Sequence, residues 1–198
     1  MRSHCIITGT GRAGTTFLVQ LFTELGLDTG FTTDTMHLDP VANAGLELDI
    51  MSDKAPYIVK SPWLCDNIAE VLKARTINHA IIPMRELSAA AASRARVHKA
   101  YGFLGKFFTV PGGLVHTFSS TKQEEILALQ FTHLVEILVA NDVPITFLSF
   151  PRFTGDAQYL YRRLEFLLKE IPYDTFLAAF NKYVRPELIH EFDTEGAG

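Results

Sequence analysis

Between Ile7 and Phe17 the chain reads Thr8-Gly9-Thr10-Gly11-Arg12-Ala13-Gly14-Thr15-Thr16, glycines set around one cation and followed by two hydroxyls. Residues of these types grip anions. Glycines let the backbone turn its N–H groups against a ligand, arginine brings charge, and hydroxyls donate to phosphate-like oxygens. Two more cations stand where apolar runs stop: Lys60 after Tyr57-Ile58-Val59, and Arg85 after Ile81-Ile82-Pro83-Met84. The chemistry expected of this set is the binding of a multiply charged anion, and the stabilisation of negative charge as it develops on a leaving group.

The elements around these residues decide whether they can meet. His4–Thr8 reads as a strand stopped by Gly9, and Thr15–Leu25 as an amphipathic helix ended by Gly26. Tyr57–Lys60 is a second strand; Ser61-Pro62 is read as N-cap and first residue of a helix to about Arg75. His79–Met84 is a third strand, Glu86–Tyr101 a helix, Lys122–Asn141 a helix, Pro144–Phe150 a fourth strand, Asp156–Lys169 one continuous helix and Tyr173–Tyr183 a last short one. Strands alternating with helices predict an α/β fold, with a parallel sheet of about four or five strands covered by helices on both faces. In such a sheet ligands bind at the carboxyl ends of the strands, where Arg12, Lys60 and Arg85 all fall.

The bulk numbers fit one globular domain of 198 residues with a polar C-terminal tail from about 185. A formal charge of -4 gives no footing for nucleic acid or an anionic membrane, so any cationic chemistry is local. No signal peptide or membrane-spanning run is visible, and Cys5 and Cys65 lack metal-ligand spacing. The expectation is a cytoplasmic protein with reduced thiols.

The whole strand–loop–helix unit is of P-loop type, yet it departs from the nucleoside triphosphatase pattern. There a lysine follows the last glycine of the loop; here that position is Thr15, and the cation has moved forward to Arg12. The third strand ends in Pro83-Met84-Arg85, with no carboxylate to hold magnesium. Instead, Arg12-Ala13-Gly14-Thr15-Thr16 resembles the 5′-phosphosulfate loop of the sulfotransferase superfamily, in the arginine form seen in tyrosylprotein sulfotransferases and bacterial relatives; Ala13 replaces a common serine.

The resemblance implies 3′-phosphoadenosine 5′-phosphosulfate as donor, 3′-phosphoadenosine 5′-phosphate as product, and no metal. Gly11, Arg12, Ala13, Gly14, Thr15 and Thr16 would cradle the 5′ end. A second family motif, an arginine with a serine eight positions on, matches Arg85 and Ser93 and would hold the 3′-phosphate; Arg94 and Arg96 read as solvated or as rim residues. Lys60 would stabilise the transferring sulfuryl group, as a lysine between the two motifs does in family members. The general base is expected after the first helix, where Asp34, His37, Asp39 and Glu47 lie; Asp34 is nearest the family position and His37 is the chemical alternative. Phe150-Pro151-Arg152 stands where many relatives carry a glutamate.

The 30–52 and 102–121 segments would wall the acceptor pocket, and Phe103, Phe107, Phe108 and Phe118 suit an apolar or aromatic small molecule carrying a hydroxyl or amine. The chain is short for the family, so the acceptor pocket would be reduced, or completed by a partner such as a second copy in a homodimer. Two other readings stay open: a P-loop kinase-type phosphotransferase, which requires ATP and magnesium, and a non-catalytic nucleotide-binding module.

Overall fold

Residues 3–7 form β1 (Ser3–Ile7), and the loop after it delivers the chain into α1 (Thr15–Glu24). This computed structural model describes residues 2–39, 44–62, 64–101, 116–117 and 119–186. Then follow β2 (Ile58–Lys60), α2 (Leu64–Ala74), β3 (Thr76–Met84), α3 (Leu87–Ala100), α4 (Ser120–Ala140) and β4 (Ile145–Ser149). The C-terminal part adds α5 (Arg152–Gly155), α6 (Ala157–Arg163), α7 (Glu165–Leu168) and α8 (Tyr173–Tyr183). Phe103, Phe107, Phe108, Phe118 and most of the tail lie outside the described residues.

The four strands make one all-parallel sheet in the order β2-β1-β3-β4. Both faces are buried, which is why the strands read as unbroken apolar runs. Cys5 and Ile7 point to the face covered by α1 and the C-terminal helices, packing with Leu18, Phe22, Phe153 and Phe176. Ile6 points to the other face, among Leu64, Ile68, Leu134 and Leu138 of α2 and α4. Burial pushes the Cys5 thiol up to about 12, as befits a core residue. Among the described residues no helix is long and apolar enough to cross a membrane.

Strand order fixes where a ligand can sit. From β1 the chain moves to one side, through α1 to β2; from β3 it moves to the other side, towards β4. A crevice therefore opens between the carboxyl ends of β1 and β3, the topological switch point at which open α/β sheets bind ligands. The glycine loop leaves β1 on one side of it, and Arg85 leaves β3 on the other.

Two elements differ from the sequence expectation. The Ser61 amide donates to the Ile7 carbonyl at 3.0 Å, so Ser61 still belongs to the sheet and α2 begins only at Leu64, with a non-helical residue at Asn67. The predicted helix over 156–169 is broken at Leu164, whose φ of -104° and ψ of 12° interrupt it. Asp156 does cap the first piece, accepting from the Tyr159 amide at 2.8 Å. Beyond the break, Phe166 stacks on His79 of β3 with ring centroids 3.6 Å apart. Tertiary packing overrides the helical period here.

Side chains seal the outer edge of β4. The Ser149 amide donates to the Tyr159 hydroxyl at 3.0 Å, and Arg163 donates to the Phe147 carbonyl at 2.9 Å. An edge strand treated this way is a poor template for pairing with another chain.

Candidate functional site

The loop is a chain of left-handed residues: φ is 69° at Gly11, 55° at Arg12 and 76° at Gly14. Such runs gather successive backbone N–H groups into an anion-binding concavity. Only glycine enters this region without strain, so Arg12 pays roughly 1 kcal/mol for its place. Gly14 is fixed by space as well as by φ, because a Cβ there would lie 2.8 Å from Phe153 Cζ and 3.3 Å from Phe150 Cδ2. It is also the N-cap of α1 and offers no side-chain cap, leaving the positive end of a ten-residue helix directed at the loop.

Two arginines from the other side of the crevice hold the loop. Arg85 Nη1 donates to the Arg12 carbonyl at 3.0 Å, and Arg94 donates twice to the Thr10 carbonyl, from Nη2 at 2.7 Å and Nε at 3.3 Å. Arg12 Nε in turn donates to Ser93 Oγ at 3.3 Å. The two motifs, 81 positions apart at their farthest, thus form one cluster. Arg94 is only 5% exposed, which corrects its reading as a solvated or rim residue; Arg96 is exposed. Ser93 is buried beside it.

Lys60 is the third cation, and it is buried rather than solvated, at 4% exposure. Its ammonium donates to Thr16 Oγ1 at 2.9 Å and to the Gly45 carbonyl at 2.5 Å, and pairs with Glu47 Oε1 at 2.9 Å. The 44–48 segment is thereby tied to the start of α1. Burial lowers the pKa of Lys60, Arg12 and Arg85, and takes Arg94 down to about 10. Mutual repulsion adds to this: Arg85 acts on Arg12, and Arg12 on both Lys60 and Arg94, while Glu47 works in the opposite direction on Lys60. An anion brought among these groups would relieve that repulsion.

Asp34 and His37 are exposed, and among the described residues neither side chain makes a hydrogen bond or ion pair. The structure does not join them to the cation cluster through any such contact. Of the four acid–base candidates it joins Glu47 directly, through Lys60, and it sets Asp39 near Tyr101 at the end of α3. Burial and then the Asp39 carboxylate push the Tyr101 hydroxyl up to about 12, against the opposing pull of Arg12.

Arg94 and Phe150 are the site residues that sequence reasoning missed. The Arg85 guanidinium lies 5.0 Å from the centroid of the Phe150 ring, and the same ring walls Gly14. Position 150 therefore supports the loop and Arg85 through an aromatic face, where the resembling family often has a carboxylate. Arg152, just after it, pairs with Asp156 at the surface.

The residues present fit a phosphate-type group. Besides the nest and the cations, Thr10 is 6% exposed and its hydroxyl has no hydrogen-bond partner among the described residues, a costly state for a buried polar group. Compared with family models, with curated proteins and with solved structures, this chain gave no match.

Proposed function

We propose that the protein is a sulfotransferase-like enzyme that moves a sulfuryl group from 3′-phosphoadenosine 5′-phosphosulfate to an acceptor hydroxyl or amine. The observation that carries this reading is the joining of the Arg85–Ser93 pair to the glycine loop through Arg12, at the switch point of the sheet. One ligand with phosphate groups at both ends of an adenosine would meet both motifs. A loop cation at Arg12 instead of a lysine after the last glycine also favours a sulfuryl donor over a nucleoside triphosphate.

In this reading the donor supplies an activated sulfuryl group, and the chain binds, orients and neutralises it. Gly11 to Thr16 hold the 5′ end through backbone N–H groups and the two threonine hydroxyls, with Arg12 set to take up the charge left on the departing phosphate. Lys60 would serve the sulfuryl oxygens by exchanging one of its three partners, Thr16, the Gly45 carbonyl or Glu47, for the donor. Glu47, held 2.9 Å from Lys60 and 38% exposed on its side chain, is the carboxylate best placed to take the acceptor's proton. The pair then links charge stabilisation and proton removal in one unit.

Binding selectivity tests the reading. 3′-Phosphoadenosine 5′-phosphate should raise the melting temperature well above the effect of adenosine 5′-monophosphate, because only the former engages Arg85 and Ser93. At a hundredfold excess over its dissociation constant a ligand adds about 2.7 kcal/mol. Equal shifts for the two nucleotides would remove the 3′-phosphate site from the account.

A further inference from the structure

Arg94 is a charged side chain in the core, one residue beyond the serine of the second motif and outside the motif itself. Burying a guanidinium costs free energy unless its hydrogen bonds are made. Two of them go to a single acceptor, the Thr10 carbonyl. That carbonyl shares a peptide plane with the Gly11 amide. In a planar trans peptide the C=O and the N–H point in opposite directions. Holding the Thr10 oxygen towards α3 therefore turns the Gly11 N–H away from α3. The guanidinium also fills the space where a side chain at position 11 would go: a Cβ there would lie 2.6 Å from Arg94 Nη2. Arg85 acts in the same way two residues along, holding the Arg12 carbonyl and with it the direction of the Ala13 amide.

We propose that Arg94 is a positioning residue for anion binding, fixing the Gly11 amide towards the ligand at the 5′ end of the site. This rests on the reading of the loop as the 5′-phosphosulfate cradle. Arg94 grips the loop backbone rather than the anion, so its removal should loosen one end of the site only.

Calorimetry on the full chain tests this with three probes: inorganic pyrophosphate, adenosine 5′-monophosphate and adenosine 3′-monophosphate. Arg94→Met should weaken pyrophosphate and the 5′-nucleotide roughly tenfold to a hundredfold, the usual effect of losing a charge-assisted hydrogen bond. Binding of the 3′-nucleotide should fall by no more than a few-fold, because the hydrogen bonds of Arg94 to the Thr10 carbonyl hold the loop at the 5′ end. Arg94→Lys keeps the charge but loses the two-pronged geometry, and should recover part of the loss. If Arg94→Met does not fold, Arg94→Lys decides alone, with several-fold weaker pyrophosphate binding expected. Equal losses for the 5′ and 3′ nucleotides would make Arg94 a merely structural residue and overturn the proposal, as would unchanged pyrophosphate affinity in the variants or none in the wild type. A wild type that binds pyrophosphate through Arg94 but ignores 3′-phosphoadenosine 5′-phosphate would sink the sulfotransferase reading and leave this one standing.

Discussion

Replacing Arg12 by alanine is expected to lower turnover a hundredfold to a thousandfold while changing donor affinity far less. The reason is where the charge is needed. In the bound donor the 5′-phosphate is already cradled by backbone amides of the loop and by the end of α1, so one cation adds modestly to binding. As the bond from sulfur to the bridging oxygen breaks, a full additional charge would collect on the phosphate, and in the proposed reading the loop cation Arg12 meets it. Preorganised donors that meet charge only as it develops are worth roughly a hundredfold to a thousandfold each. Arg12 is held at a cost, with a left-handed backbone and close to Arg85 and Arg94. Alanine at position 12 keeps the same backbone strain, so stability should not obscure the result. Steady-state measurement of 3′-phosphoadenosine 5′-phosphate release with a saturating acceptor checks it; unchanged turnover would remove Arg12 from the chemistry.

The Lys60–Glu47 pair should fail in two different ways. Lys60→Met is expected to reduce turnover by a similar factor, and to remove one pH dependence from the stability of the unliganded protein. Burial holds the Lys60 pKa below its ordinary value despite Glu47, so the charged form is a net burden on the fold. Methionine removes that burden but also takes the ammonium from Thr16, the Gly45 carbonyl and Glu47, of which Glu47, being partly exposed, can turn to water. The sign of the pH effect follows. Because the folded pKa lies below the unfolded one, the unfolded state holds more protons between the two, and the wild type gains stability as pH rises through that alkaline window. The methionine variant should lack that gain. Glu47→Gln should instead abolish activity, whereas Asp34→Asn and His37→Gln keep it. Retained activity in Glu47→Gln, with loss in Asp34→Asn, would return the base to Asp34.

Much of this was open to reading in the chain itself, and the exceptions have physical reasons. The strands could be found because a sheet buried on both faces needs unbroken apolar runs, as at Cys5-Ile6-Ile7 and Ile81-Ile82. The glycine loop stood out because left-handed backbone needs glycine, and it places glycine at positions 11 and 14. The family resemblance named Arg85 and Ser93, and each of them meets Arg12 in the structure. What spacing could not carry was partnership across the fold. The burial of Lys60 depends on Gly45 and Glu47, in a segment with no periodicity to place it. Arg94 lies on an alanine-rich helix whose buried side has little apolar contrast, so nothing local separates a buried arginine from its exposed neighbour Arg96. Strand order, which creates the crevice between β1 and β3, is a long-range property as well. The break at Leu164 shows the same limit, because the leucine period continues through it while Phe166 turns to His79.

The central claim, that the crevice takes a sulfuryl donor and not a nucleoside triphosphate, is met most directly by calorimetric titration of the wild-type chain. One titration uses 3′-phosphoadenosine 5′-phosphate and the other uses ATP with magnesium. The account predicts clear binding of the first, indifferent to magnesium, and binding of the second at least about tenfold weaker, since ATP offers no 3′-phosphate to Arg85 and Ser93. Tighter binding of ATP, strengthened by magnesium, would contradict it.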